Sequence, residues 1–416
     1  TEYPRPQMKR SSYMSLCGEW DLKIISKEEI NLGKINVPFS PETRLSGIEH
    51  EKKDCEVYKY SKNFTLPEEM RGKRIILHFG AVDQIFMLKI GEHNLDILAG
   101  GYLPVEFDIT EYLTEGENTI QVDVIDDLDT DLAYGKQREK RGGMWYTPVS
   151  GIWQPVWLES VPTEYIRSLK ITAGLDFVTV ETVGGAAEKT VEIKAESGVL
   201  REEYSGDSIT VKIENGKLWT PESPYLYEFT VTSGEDKIES YFALRTVTVE
   251  RINGKSFIAL NKDPYFFHGV LDQGYFADGI YLPASPEGYK WDILTMKRLG
   301  FNMLRKHIKI EPEIFYYYCD KYGMTVFQDM VNKAGVADRF QIASVAVSRE
   351  ELGNPVYPPA KREMNHHGVA CDGHRARQIT QKDVDGYDHI YYMDSSNLRY
   401  LQRKSVKYFS SQEPLC

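Results

Sequence analysis

The sequence contains few cysteines, no long apolar run and no excess of positive charge. Its 416 residues include five cysteines, which lie far apart and form no Cys-x-x-Cys pair: Cys17, Cys55, Cys319, Cys371 and Cys416. A disulfide scaffold or an all-cysteine zinc site is therefore disfavoured, and a reducing, cytoplasmic setting is expected. No stretch approaches the roughly 18 uninterrupted apolar residues of a spanning helix, and the N-terminal segment lacks the apolar core of a secretion signal. No membrane partner is expected.

The charge balance is acidic. There are 50 Lys and Arg against 62 Asp and Glu, a formal net charge of -12, which would repel a phosphate backbone and makes nucleic acid an unexpected partner. With 41% hydrophobic and 27% charged residues the composition is ordinary for a globular protein. The length suggests about three domains at roughly 150 residues each.

Up to about residue 250 the chain alternates short apolar runs with turn residues. Ile75, Leu77 and Phe79, for example, alternate with Ile76 and His78 before Gly80 ends the run. Further strand-like runs lie at 119–124, 155–158, 190–194, 208–213 and 225–232. This pattern predicts two antiparallel β-sandwiches, and the spacing places them at residues 1–161 and 162–250.

After residue 254 the apolar period becomes helical. Ser285, Pro286 and Glu287 predict a helix start, and the apolar positions that follow recur at helical spacing up to Gly300. A buried strand is predicted at 301–304, a second helix from Glu311 to Gly323, and a further strand at 324–327. This alternation of strand and helix is typical of a parallel sheet or of the beginning of a (β/α)8 barrel.

Three tryptophans lie in a glycine-rich run at residues 141–159, namely Trp145, Trp153 and Trp157. Aromatic rings in a loop of a rigid sandwich can stack on the apolar faces of sugar rings. They can equally pack in a core or a domain interface, which composition alone favours. Both interpretations remain open at this point.

Several segments together identify a family. They are 18–20, 78–83, 100–102, 107–110, 115–118, Ser150-Gly151-Ile152-Trp153-Gln154, 218–227 and 242–245. In this order they resemble glycoside hydrolase family 2, the family of β-galactosidases, β-glucuronidases and β-mannosidases. The resemblance implies a jelly-roll sugar-binding domain (1–161), an Ig-like β-sandwich (162–250) and the start of a catalytic barrel (251–332). It also implies hydrolysis of O-glycosidic bonds in carbohydrate metabolism, with carbohydrate as partner and no cofactor.

The candidate binding residues follow from the same resemblance. Asn302-Met303-Leu304-Arg305, followed by Asp320 and Gly323, resembles a family pattern that continues with a His-Tyr-Pro sequence, whereas this chain continues Lys306-His307. The expected substrate-binding residues are Arg305, His307, Asp329, Asn332 and Trp145. Arg305, His307 and Asp329 lie at or beyond the C-terminal ends of barrel strands, where charged groups suit sugar hydroxyls. Arg305 could instead be a structural ion-pair partner.

No catalytic residue and no metal ligand is assigned. Family resemblance implies a retaining mechanism with two glutamates on later barrel strands, one of them following an Asn, and such carboxyl groups lie about 5–5.5 Å apart. No Asn-Glu pair occurs after residue 332, and residues 255–416 are fewer than the about 250 of a barrel. Glu311 and Glu313 are interpreted as N-terminal partners of a helix dipole. We therefore expect a truncated, inactive hydrolase.

The remaining sequence resembles another family. The segments 333–336, 340–344, 353–360, 376–380 and 393–398 resemble the low-molecular-weight protein tyrosine phosphatases. This predicts a chimeric chain whose partial barrel is fused to an α/β phosphatase-like fragment at 333–403, with an unassigned tail at 404–416. Cys371 and Arg377 have the Cys-x5-Arg spacing of a phosphatase loop but lack its glycine-rich context.

Two other functions remain open. One is a carbohydrate-binding or interaction module without catalysis, and the other is a remnant tyrosine phosphatase. His366, His367, Cys371 and His374 are metal-ligand types, but their spacing matches no zinc pattern and predicts no metal site. A homo-oligomer is left open.

Overall fold

The computed structural model describes residues 3–329 except 54, 130, 131, 133, 141, 144 and 197, and it shows a mainly β, multidomain architecture. The predictions for Asn332, for residues 333–403 and 404–416, and for the Cys371 loop and its neighbouring histidines lie outside the described residues. No helix in the described part of the chain is long and apolar enough to cross a membrane. The described cysteines, Cys17, Cys55 and Cys319, are unpaired.

Twelve strands build the first sandwich. They are β1 (Tyr13–Ser15), β2 (Gly18–Ile25), β3 (Glu29–Val37), β4 (Val57–Phe64), β5 (Arg74–Phe79), β6 (Val82–Asp83), β7 (Ile85–Ile90), β8 (His93–Ala99), β9 (Val105–Asp108), β10 (Asn118–Ile125), β11 (Gly151–Ile152) and β12 (Val156–Val161). A sheet of order β1-β12-β5-β9 and one of order β3-β2-β4-β10-β7-β8 share one apolar core. The strands predicted within 74–90 and at 119–124 and 155–158 are confirmed.

Strand β5 differs from the predicted alternation, because both of its faces are buried. Ile76 and His78 are 3% and 4% exposed, although the pattern predicts an outward face for them. The reason is that the N-terminal segment crosses this sheet: Tyr3 and Arg5 both bond to Glu159 on the neighbouring strand β12. His78 itself stacks on Trp157, with ring centroids 4.8 Å apart.

Seven strands build the second sandwich. They are β13 (Ile166–Ala173), β14 (Phe177–Gly184), β15 (Glu188–Ala195), β16 (Gly198–Ser205), β17 (Ser208–Lys212), β18 (Tyr227–Ser233) and β19 (Asp236–Phe242). They form sheets of order β13-β14-β17 and β16-β15-β18-β19 around a second core. The alternating burial of β15 and β18 matches the period-two pattern of their sequences, so the strands predicted at 190–194, 208–213 and 225–232 are confirmed.

The last described part combines a small antiparallel sheet with a parallel one. The antiparallel strands are β20 (Val247–Ile252), β21 (Lys255–Leu260) and β22 (Asp263–Pro264). The parallel unit runs β23 (Gly269–Asp272), α1 (Glu287–Arg298), β24 (Met303–Lys306), α2 (Glu313–Tyr322) and β25 (Thr325–Gln328). Its sheet has the order β23-β24-β25. Both predicted helices are confirmed, and Gly323 ends α2 in the left-handed region at φ 76°.

Strand β24 begins two residues later than predicted. Asn302, expected inside the strand, lies before it, and its side chain bonds to the backbone N–H of His268 at 2.8 Å and to the carbonyl of Phe266 at 2.9 Å. These bonds fix the entry into the strand. As a result Arg305 and Lys306 are the last residues of β24, and His307 follows directly after it.

Candidate functional site

Three of the predicted binding residues meet at the C-terminal end of the parallel sheet. Arg305 donates two hydrogen bonds to the carboxylate of Asp329, from Nε at 3.0 Å and from Nη2 at 3.2 Å. His307 Nδ1 lies 2.9 Å from Oδ2 of the same carboxylate. All three side chains are partly exposed, at 27%, 19% and 18% for Arg305, Asp329 and His307, so a ligand can reach them. Asp329 thus orients both a guanidinium and an imidazole.

Strand register explains why Arg305 points to an open face. Leu271, Arg305 and Phe327 are partners across β23, β24 and β25, so their side chains stand on the same side of the sheet. Leu271 and Phe327 are 45% and 46% exposed. Arg305 therefore stands between two apolar side chains on an accessible surface of the described residues.

A loop of the first sandwich reaches this cluster. Nζ of Lys136 lies 3.5 Å from Nε2 of His307, on the side of the ring opposite Asp329. Tyr146, from the same loop, packs against Tyr275 with ring centroids 4.9 Å apart. The sandwich and the parallel unit consequently contribute side chains to the same place, which the sequence did not predict for Lys136.

Buried contacts hold the loop in place. Gln137 is 1% exposed, donates to Asp83 Oδ2 at 3.1 Å and accepts a hydrogen bond from the backbone N–H of Val149. Gly135 has φ 60°, and a Cβ there would overlap the hydroxyl of Tyr102 and lie 2.9 Å from that of Tyr281. Only a glycine lets the backbone pass so close to these two tyrosines.

The three tryptophans separate into different roles. Trp153 and Trp157 are 1% and 3% exposed. For these two residues the packing interpretation is correct, and the interpretation that their rings stack on a sugar is wrong. Trp153 donates from Nε1 to the carbonyl of Gly101 at 2.6 Å and packs edge-on against Tyr281. Trp145 is partly exposed, and the guanidinium of Arg138 lies 3.6 Å from its ring centroid. One face of Trp145 is thus occupied by a cation.

A network of buried charges underlies the cluster and was not predicted. The ammonium of Lys306 lies 2.9 Å from Asp272 Oδ2 and 2.5 Å from Glu311 Oε1. Lys309 contacts Glu311 Oε2 at 3.0 Å and donates to the carbonyl of Gly274 at 2.7 Å. The helix-dipole interpretation of Glu311 is therefore wrong: its side chain is fully buried and forms ion pairs with both Lys306 and Lys309. The only sequence signal was the run of charged residues directly after Arg305.

Burial sets the electrostatics of this network. Burial disfavours the charge of Lys309 and lowers its pKa to about 8, despite the nearby Glu311. For Lys306 burial acts in the same sense, but Glu311 and Asp272 outweigh it and raise the pKa. The two acids contact one ammonium and therefore lie close together, yet Glu311 has no exposed surface. They are not an accessible acid/base pair of the kind that glycoside hydrolysis needs.

Family models match three parts of the chain. Residues 8–162 match "Glycosyl hydrolases family 2, sugar binding domain", and residues 167–245 match "Glycosyl hydrolases family 2". Residues 323–412 match "Low molecular weight phosphotyrosine protein phosphatase". The first two matches lie on the two sandwiches described above. The third lies almost entirely beyond the described residues.

Relatives and solved structures agree with the first two matches. A β-galactosidase of Thermoanaerobacter pseudethanolicus is 25% identical over 419 residues, covering 93% of this chain and 53% of the relative. A putative β-glucuronidase of Formosa agariphila is 25% identical over 295 residues, covering 65% of this chain and 27% of the relative. The Ruminococcus gnavus β-glucuronidase structure superposes with a TM-score of 0.66 at 22% identity, covering 79% of this chain and 60% of that one.

These coverages limit what is shared. The chain spans about half the length of the first relative and less than half of the second. The likeness to the solved structure shows a shared fold. The two glycosyl hydrolase matches together nevertheless span more than half of the chain, in the order of the two sandwiches. Over residues 8–245 the chain belongs to glycosyl hydrolase family 2.

Proposed function

We propose that this protein binds the sugar of an O-glycoside of the β-galactoside or β-glucuronide type, at the cluster of Arg305, His307 and Asp329. The observation that carries the proposal is the meeting of these three partly exposed side chains at the C-terminal end of parallel strands, under a loop of the first sandwich. Guanidinium, carboxylate and imidazole together donate and accept hydrogen bonds, as a sugar hydroxyl requires. Relatives named β-galactosidase and β-glucuronidase support the sugar class.

The proposal extends to the architecture. In it, residues 1–161 form a jelly-roll sugar-binding domain, residues 162–250 an Ig-like sandwich, and residues 251–332 the first part of a (β/α) barrel. Asn332 and Trp145 would complete the sugar site. The cytoplasmic setting and a homo-oligomer stay predictions.

We expect binding without efficient hydrolysis. Every carboxylate named at this end of the described sheet is already engaged: Asp272 and Glu311 with Lys306, and Asp329 with Arg305. Hydrolysis of a glycoside with retention needs one protonated and one ionised carboxyl group free to reach the substrate. Within residues 3–329 the charge pairing leaves no such couple at the cluster.

Calorimetry and turnover assays test both parts. With methyl β-galactoside and methyl β-glucuronide we expect binding by the full chain that weakens about tenfold or more in Arg305→Met, because hydrogen bonds to a charged group are lost. Arg298→Met, on the exposed side of α1, is the matched control and should bind as the parent does. Equal binding by both variants overturns the site, and normal turnover of the nitrophenyl glycosides overturns the inactivity.

The match to the phosphatase model supports one second candidate, a remnant tyrosine phosphatase. Its nucleophile would be Cys371, six residues before Arg377, as a thiolate stabilised by a phosphate-binding loop. Hydrolysis of nitrophenyl phosphate that disappears in Cys371→Ser would establish it. We expect no such activity, because the spacing occurs without the glycine-rich loop.

A further inference from the structure

The loop residue Lys136 places a positive charge at the proposed sugar site, and no described carboxylate compensates it. Its ammonium lies 3.5 Å from Nε2 of His307, and within the described residues no carboxylate lies at ion-pair distance from it. The other cations named at this end of the sheet are paired. Arg305 is paired with Asp329, and Lys306 and Lys309 are paired with Glu311. This local excess opposes the overall charge of -12.

The two contacts of the His307 ring indicate that the ring is neutral, so it does not change the charge at the site. An ammonium group only donates, so Nε2 of His307 must act as acceptor toward Lys136. The ring proton then resides on Nδ1 and is donated to Asp329 Oδ2, at 2.9 Å. We assign His307 as the neutral Nδ1–H tautomer. One of the three N–H groups of Lys136 is directed at His307, and two remain for a ligand.

The backbone fixes where this charge stands. Lys136 has φ 58° and follows Gly135, which passes against the hydroxyls of Tyr102 and Tyr281. The next residue, Gln137, is buried and bonded to Asp83. The backbone that carries Lys136 is thereby held beside the site by a loop of the first sandwich, so the binding of a ligand does not have to order this loop.

We propose that Lys136 is a specificity-determining residue that selects sugars carrying a carboxylate, that is hexuronates, over their neutral counterparts. This inference rests on the proposed function, because it needs a sugar at the cluster of Arg305, His307 and Asp329. A sugar carboxylate beside Lys136 accepts its two remaining N–H groups in charge-assisted hydrogen bonds. A neutral hydroxymethyl group at the same place leaves the ammonium without a counter-charge.

Calorimetry on the full chain tests the proposal with two probes that differ at this group, methyl β-D-glucuronide and methyl β-D-glucoside. We expect the parent protein to prefer the glucuronide by about tenfold or more, since a hydrogen bond to a charged group is worth that factor. Lys136→Met should lower the preference to about one, and Lys136→Arg should retain most of it. Lys140→Met, which removes an exposed lysine of the same loop, should leave it unchanged.

The outcomes separate the two proposals. A preference that survives in Lys136→Met, with both sugars still bound, overturns the role of Lys136 and leaves the sugar site standing. If the parent protein binds neither of these sugars nor methyl β-galactoside, both proposals are overturned. Thermal unfolding at the parent temperature shows that Lys136→Met is folded. An independent readout is the ¹⁵N shift of His307 in the parent, which should report the Nδ1–H tautomer, whereas an Nε2–H tautomer would contradict the contact with Lys136.

Discussion

Arg10 and Asp236 form a two-pronged ion pair across the boundary between the two sandwiches. Nε of Arg10 lies 2.9 Å from Oδ1, and Nη2 lies 2.9 Å from Oδ2. The third nitrogen, Nη1, contacts Glu159 Oε2 of the first sandwich at 2.8 Å. The three side chains are 5%, 2% and 0% exposed. One guanidinium thus satisfies a buried carboxylate of each sandwich.

Substitution of Arg10→Met should destabilise the protein by about 3–5 kcal/mol, because it leaves Asp236 buried without its counter-charge and leaves Glu159 paired with Arg5 alone. Urea unfolding followed by tryptophan fluorescence measures the change. The adjacent Lys9→Met is the control: its ion pair with Glu239 is exposed, at 52% and 61%, and such pairs contribute about 0–1 kcal/mol. Similar losses for the two variants would contradict the assignment of a buried network.

A methyl group at Gly135 should disturb the loop that carries Lys136. Gly135→Ala must tolerate both a positive φ and a Cβ placed against Tyr102 and Tyr281, whose hydroxyls share a 2.8 Å hydrogen bond. We expect a loss of about 3 kcal/mol, the sum of backbone strain and a broken buried hydrogen bond. Urea unfolding measures it.

Gly143→Ala isolates the backbone part of that loss. Gly143 lies in the same loop with the same φ of 60°, but a Cβ added there would have no atom within 4 Å. We expect about 1 kcal/mol for this variant. If Gly135→Ala costs no more than Gly143→Ala, the close approach to the tyrosines is not a constraint.

The sequence predicts the elements that have a strong period and a clear end. Strand β10, with its alternating apolar residues, and helix α2, closed by Gly323, occur where the pattern places them. Local periodicity also places Arg305 and Asp329 at the ends of neighbouring parallel strands, and so brings them together.

Long-range contacts between polar side chains are what the sequence does not predict. Arg10 and Asp236 are 226 residues apart, and Lys136 and His307 are 171 apart. Nothing in the local pattern of either residue identifies its partner, because each contact is produced by the packing of one domain on another. Glu311 differs from its prediction for a local reason: its place before a helix predicts a dipole partner, but its side chain is buried against the nearby Lys306 and Lys309.

Glu42 should make the protein less stable as the pH rises toward neutrality. Oε1 of Glu42 is enclosed without a hydrogen-bond partner, and burial raises the pKa of this carboxyl from 4.5 to about 7. The folded state therefore binds more protons than the unfolded chain between these values, and stability is lost as the pH rises through them. The loss amounts to about 3 kcal/mol above pH 7 for a shift of this size.

Glu42→Gln removes this titration and keeps an acceptor for the backbone N–H of Ser150, which contacts Oε2 at 3.2 Å. We expect the variant to gain stability relative to the parent between pH 5 and pH 8, measured by urea unfolding at each pH. The exposed Glu49→Gln serves as control and should follow the parent throughout. A constant difference between Glu42→Gln and the parent would show that folding does not raise the pKa of Glu42.

His78 should act in the opposite direction on the acid side. It lies 3.7 Å from a carboxylate oxygen of Glu159, but burial lowers its pKa from 6.5 to about 3, so the ring is neutral and this contact is not an ion pair. Between these pH values the unfolded chain binds more protons, and stability falls as the pH drops from 6.5, by up to about 1.4 kcal/mol per pH unit.

His78→Phe keeps the stacking on Trp157 and removes this titration. From pH 6.5 to 4.5 we expect the variant to lose less stability than the parent, whereas exposed His93→Phe should follow the parent. Equal slopes for the parent and His78→Phe would mean that His78 is charged in the folded state and paired with Glu159.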